Sequence, residues 1–140
     1  MHTLLISIVT FGALFLFASS QDFPLHTCRP PLLGAPAQVT PEQCRLALKK
    51  ISKNRGFLAF NSTTNYTQDC GGCKVELFSI EPLGGGVEMN APIPMNTVKN
   101  SFKYILAHCK GGIGTAFIGA LDKNVTTAKI LIDSSNSTEC

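Results

Sequence analysis

The sequence predicts an α+β fold: a two-layer sandwich with a four-stranded antiparallel sheet and two helices on one of its faces, stabilised by disulfides. Three observations predict it. Segments 40–52 and 96–110 repeat apolar residues at helical spacing, while 56–60, 74–80, 113–120 and 128–133 read as strands. Two helices with one apolar stripe each must bury those stripes on a common surface, and one face of a sheet provides it. Six cysteines, all beyond residue 20, supply the cross-links.

The first element is a signal peptide over residues 1–20. Leu4 to Ala18 is an uncharged apolar run. As a helix, its fifteen residues reach about 22 Å, short of the ~30 Å hydrocarbon core of a bilayer. It ends in Ala18-Ser19-Ser20, the small residues a signal peptidase reads, although Met1-His2-Thr3 carries no Lys or Arg. No Lys/Arg-rich flank follows it and no second spanning run exists, so no transmembrane helix and no lipid-anchor tail is expected. A secreted, extracellular location is the expectation.

Residues 21–39 then form an extended Pro-rich arm, since Pro30, Pro31 and Pro36 oppose a helix. Residues 40–140 form the single domain. Thr40-Pro41-Glu42-Gln43 is a helix start, with Thr as N-cap and Pro at the first helical position. The helix runs to about Ser52. Cys44, Ala47, Leu48 and Ile51 make its apolar stripe. Gly56 to Phe60 is a short strand, and 61–73 reads as a polar loop. Lys74 to Ile80 alternates as a strand with one buried face, and 81–95 is a second loop broken by prolines and by Gly84-Gly85-Gly86. The second helix starts at Pro94 or Asn96. Val98, Phe102, Ile105 and Cys109 lie on one of its faces, and Lys110-Gly111-Gly112 stops it. Strands Ile113–Ala120 and Ala128–Asp133 close the domain.

An even cysteine count in a small exported chain reads as three disulfides among Cys28, Cys44, Cys70, Cys73, Cys109 and Cys140. Six cysteines allow fifteen connectivities. Cys44 with Cys70 or Cys73, and Cys28 with Cys140, are candidate pairings. Asn61, Asn65, Asn124 and Asn136 each begin an N-x-S/T sequon and are candidate glycosylation sites.

Composition narrows the function. The net charge of +3 lies far below that of a dedicated nucleic-acid binder, so no nucleic-acid partner is expected. Trp is absent and only Tyr66 and Tyr104 are present, which argues against a sugar-stacking platform. Cys70-Gly-Gly-Cys73 has redox spacing, but a strand follows it, where a redox cysteine needs a helix N-terminus. A zinc site there would need further ligands such as His108-Cys109. The expected role is structural disulfide bonding, with no metal. The Gly-rich segments lack the phosphate-binding pattern, and no cofactor is expected.

His108 is the one candidate general base, with Glu76 or Glu88 as a carboxylate partner and a ribonuclease-like hydrolase as the enzyme it would serve. His26 is the only other histidine beyond the signal segment. The bland reading of His108 is a residue facing the negative end of a helix dipole. The densest basic patch is Arg45, Lys49, Lys50, Lys53 and Arg55. As a binding face it would meet anionic lipid, glycan or a partner protein.

The helix start Thr40-Pro-Glu-Gln-Cys44, Cys70-Gly-Gly-Cys73-Lys-Val, Tyr104-Ile-Leu-Ala-His-Cys109-Lys-Gly-Gly and the terminal Cys140 together resemble small secreted fungal cysteine-rich proteins of the killer-toxin-like and effector groups. The resemblance covers most of the mature chain. It implies a ferredoxin-like sandwich and a non-enzymatic role on another cell or host, through a protein receptor or a membrane surface. It implies no catalytic residues.

Overall fold

The computed structural model describes residues 25–30, 33–34, 38–53, 55–59, 65–80, 92–118 and 127–140. The expected signal peptide over residues 1–20, Asn61, the 81–91 stretch with Glu88, and Asn124 lie outside them. The described elements run β1 (His26–Cys28), α1 (Pro41–Ser52), β2 (Phe57–Ala59), β3 (Asn65–Cys70), β4 (Cys73–Ile80), β5 (Pro92–Pro94), α2 (Met95–His108), a 3₁₀ turn (Lys110–Gly112), β6 (Gly114–Ile118) and β7 (Thr127–Ser134).

The α+β class and the two helices hold; the sheet is larger than expected. Five strands in the order β1-β6-β7-β4-β3 form one antiparallel sheet, where four in a ferredoxin-like arrangement were expected. Two of the five come from segments that read as irregular. β1 lies within the extended arm and β3 within the 61–73 loop. Conversely, the strand expected at 56–60 is β2, which leaves the main sheet to pair with β5 in a separate two-stranded ribbon.

Alternation explains the layering. Val75 and Leu77 of β4, Ala116 and Ile118 of β6, and Ile130 and Ile132 of β7 are buried on one face. The register sets Val75 opposite Ile132, and Leu77 opposite Ile130, so these residues meet as a continuous apolar floor. Lys74, Glu76, Phe117, Lys129 and Asp133 alternate onto the outer face, where Lys129 Nζ lies 4.5 Å from the Phe117 ring centre. α1 packs over β3 and β4, and α2 over β6 and β7. Both expected stripes are the ones buried: Cys44, Ala47, Leu48 and Ile51 on α1, and Val98, Phe102 and Ile105 on α2 with Cys109 just beyond it. Each fully buried aliphatic side chain contributes about 1.5–3 kcal/mol.

The helix ends differ in detail from expectation. Thr40 is the N-cap of α1, but its side chain makes no capping hydrogen bond. α2 begins at Met95 and ends at His108, and its C-cap is Cys109 in an extended conformation. Gly111 and Gly112 act one step later: both take positive φ in the 3₁₀ turn that leads into β6.

Three disulfides join Cys28 to Cys109, Cys44 to Cys73 and Cys70 to Cys140. The Cys44–Cys73 alternative is thus realised, and the Cys28–Cys140 pairing is not. β1 and β3 are opposite edges of the sheet. Cys28 therefore lies on the β6 side near the end of α2, whereas the C-terminal tail runs to the β3–β4 turn, where Gly71 N–H donates to the Glu139 carbonyl at 2.8 Å. Cys70-Gly-Gly-Cys73 is the hairpin turn itself, with Cys70 paired to Cys73 in the ladder. Gly71 takes φ 56°, and a Cβ there would collide with the Gln43 side chain, which accepts a hydrogen bond from Gly72 N–H at 3.2 Å.

Ile130 sits fully buried on β7, between β6 and β4. Ile130→Ala is expected to lower unfolding free energy by about 2–5 kcal/mol in urea titration, with the disulfides unchanged by mass mapping.

Candidate functional site

On α1, the buried stripe determines which residues face water. Arg45, Lys49, Lys50 and Lys53 are all exposed, as is Arg55 just beyond the helix. Lys49 and Lys50 lie in the last turn, where cations favour the helix dipole. α2 carries Lys99 and Lys103 four residues apart, on one side of the helix.

Because both helices rest on one sheet face, their basic flanks converge. A groove of about 530 Å³ has rims formed by Arg45, Lys49 and Arg55 on the α1 side and Lys99 and Lys103 on the α2 side. Leu48 and Phe102 line it as well; both are nearly buried and make an apolar floor. Lys50 and Lys53 lie on the other flank of α1, where they line a second recess of about 440 Å³ with Lys49, the exposed Leu46 and Cys140. The five-residue basic patch is thus not one surface: Lys50, Lys53 and Arg55 also line a recess of about 220 Å³ against β3, and the 530 Å³ groove is completed by α2.

The charge distribution is one-sided. Glu42 is the only carboxylate on either helix, and it is paired with Arg45 at 3.1 Å. The outer sheet face instead carries Asp69, Glu76 and Asp133 beside Lys74 and Lys129, with Lys74 and Glu76 paired at 3.3 Å. Cations around a groove with a low-dielectric floor focus a positive potential there. The arrangement suits an anionic ligand with an apolar portion.

The remaining candidates are placed as follows. His108 stacks on Tyr104 with ring centres 3.9 Å apart, and its Nδ1 lies 2.9 Å from the Tyr104 carbonyl. Glu76 is on the sheet face opposite the helices, accepting from Asn65 Nδ2 at 3.0 Å, so the structure does not bring His108 and Glu76 together. Cys70 and Cys73 are each bonded to a distant cysteine, so neither sulfur is free for redox or metal chemistry at that turn. Asn65 and Asn136 are exposed, and Asn65 Oδ1 accepts from Thr67 Oγ1 of its own sequon at 3.1 Å.

Sequence reasoning missed Lys99 and Lys103 as groove residues. Their four-residue spacing was visible and both helices were expected on one sheet face, but the sequence did not show which flank of α2 would face α1. It also missed that His26 and His108 both approach Tyr104: the His26 ring meets Tyr104 edge-on at 4.8 Å. Among the described residues, no helix is long and apolar enough to cross a membrane. No protein-family model, curated protein or solved structure matches the chain.

Glu42 is the one carboxylate on the two helices and is paired with Arg45, so Glu42→Gln releases Arg45. It should shift elution from immobilised heparin to higher salt. It should leave stability within about 0.5 kcal/mol, because the pair is exposed.

Proposed function

We propose that the protein is a secreted, disulfide-stabilised interaction protein, an effector or killer-toxin-like factor acting on another cell. It works by binding, without catalysis, and the groove between α1 and α2 is its contact surface. The observation that carries this reading is the convergence of five cations from two helices over Leu48 and Phe102. Its target presents anionic groups, on a surface receptor or on the membrane of the recipient cell. Three disulfides in a small chain support an extracellular life, where thiols oxidise and proteases are abundant.

Near an anionic surface each Lys or Arg contributes about 1 kcal/mol, and the effect fades beyond a Debye length of about 8 Å at physiological salt. The test compares the wild-type chain with Lys49→Glu/Lys103→Glu on immobilised heparin and on anionic vesicles across a salt series. Wild type should be retained by at least one surface in a salt-dependent manner, and the double variant should lose about tenfold or more in affinity. Retention by neither surface, or equal retention of both proteins, sinks the groove reading. His108→Ala should leave the effect on recipient cells intact; loss of that effect in a folded variant would favour a hydrolase instead.

A further inference from the structure

The second cluster that the fold assembles lies at the sheet edge, away from the groove. His26 and Cys28 are two residues apart on β1, so both point to the helix side of the sheet. There they meet Cys109, the residue that ends α2. One donor atom from each of His26, Cys28 and Cys109 lies within 4.8 Å of the other two. His108 adjoins Cys109 in sequence, and its ring centre is 6.3 Å from that of His26. The only two histidines beyond the signal segment therefore flank a single disulfide.

While Cys28 and Cys109 are bonded, their sulfurs are not thiolates and hold no ion. We propose that reduction of this disulfide converts the cluster into a zinc site, with the thiolates of Cys28 and Cys109 and an imidazole nitrogen of His26 as protein ligands. Water takes the fourth position. A dithiol is the reductant. Its thiolate attacks a protein sulfur, the Cys28–Cys109 bond breaks, and a second attack closes the reductant's own disulfide. Two electrons thereby reach the protein sulfurs, which leave as two thiols after protonation. Zinc binding then releases both protons, since the thiolate is the ligand. Two soft sulfurs and one imidazole form a donor set that suits a tetrahedral zinc ion.

Two features favour this disulfide over the others. Cys28 is exposed on an edge strand, whereas Cys44 and Cys73 are both fully buried. The ligands also remain gathered after the bond breaks. β1 stays paired with β6, with Phe117 N–H donating to the Leu25 carbonyl at 3.0 Å and Arg29 N–H to the Ile113 carbonyl at 3.2 Å. The edge contact of His26 with Tyr104 adds a further hold on α2. The Cys70–Cys140 bond likewise joins one exposed and one buried cysteine, but neither belongs to the histidine cluster.

The test titrates Co²⁺ into the full chain before and after treatment with a phosphine reductant that is then removed under anaerobic conditions. The oxidised protein should show no thiolate-to-metal absorption. The reduced protein should bind one ion per chain with tetrahedral d–d bands, and Zn²⁺ should displace it. Alkylation mapping should find Cys28 and Cys109 protected by Zn²⁺. Losing a ligand should cost at least the ~10–100-fold that outer-shell partners cost, so His26→Ala should weaken binding by that much, as should His26→Phe, which keeps a ring against Tyr104. Metal binding without reduction overturns the proposal. So does protection of other cysteines, unchanged affinity in both His26 variants, or loss of the far-ultraviolet circular dichroism on reduction.

Discussion

The pairing of β4 with β7 over eight positions, from Cys73 opposite Ser134 to Ile80 opposite Thr127, is the constraint on which the other features depend. A slip of β7 by one residue would turn Ile130 and Ile132 to water and bring Lys129 and Asp133 inward. With the register fixed, one sheet face is apolar and only that face can receive helices. Both helices then lie side by side, and their polar flanks have no choice but to line the cleft between them. The basic groove is thus a consequence of strand register several layers removed from it.

The disulfides act where this core is weakest. β3 is an edge strand with the polar sequence Asn-Tyr-Thr-Gln-Asp-Cys, and it buries little that would hold it. It is retained by its hairpin to β4 and by the Cys70–Cys140 bond at its end. β1 is three residues long at the opposite edge, paired along β6, and Cys28–Cys109 adds a tie from it to the end of α2. Cys44–Cys73 fastens α1 to the sheet beneath it. Each bond contributes roughly 2–4 kcal/mol, mainly by restricting the unfolded chain. One bond therefore serves each edge and one serves the interface between layers.

What the sequence reveals follows the same division. α1 and α2 are legible because their burial is one-sided and repeats at helical spacing. β4, β6 and β7 are legible because β-rich apolar residues alternate or cluster in them. β3 is not, since an edge strand among sequon residues has no apolar alternation; the Gly71-Gly72 turn between two cysteines was the available hairpin signal. β5 is hidden by Pro92 and Pro94, which are tolerated because, among the described residues, the ribbon has only two strands and β5 is an edge strand. At the candidate site, the α1 cations were readable as a helix face. Lys99 and Lys103 became partners only through tertiary placement, as did His26 and His108.

The basic groove carries an energetic cost that stability alone does not explain. Lys99 and Lys103 are like charges at i,i+4, a pairing that destabilises a helix by about 0.2–0.5 kcal/mol. Lys49, Lys50 and Lys53 crowd the end of α1, and Glu42 is the one carboxylate that the two helices carry against these cations. A surface shaped only for solubility would intersperse the two signs. Among the described strands, Asp69, Glu76 and Asp133 stand on the other sheet face, where Glu76 is tied to Lys74 and Asn65 and does not reach the groove. An anionic ligand is the component that would relieve this repulsion without rearranging the fold. It would couple its own binding to the stability of the helix pair, since it adds free energy only to the folded state.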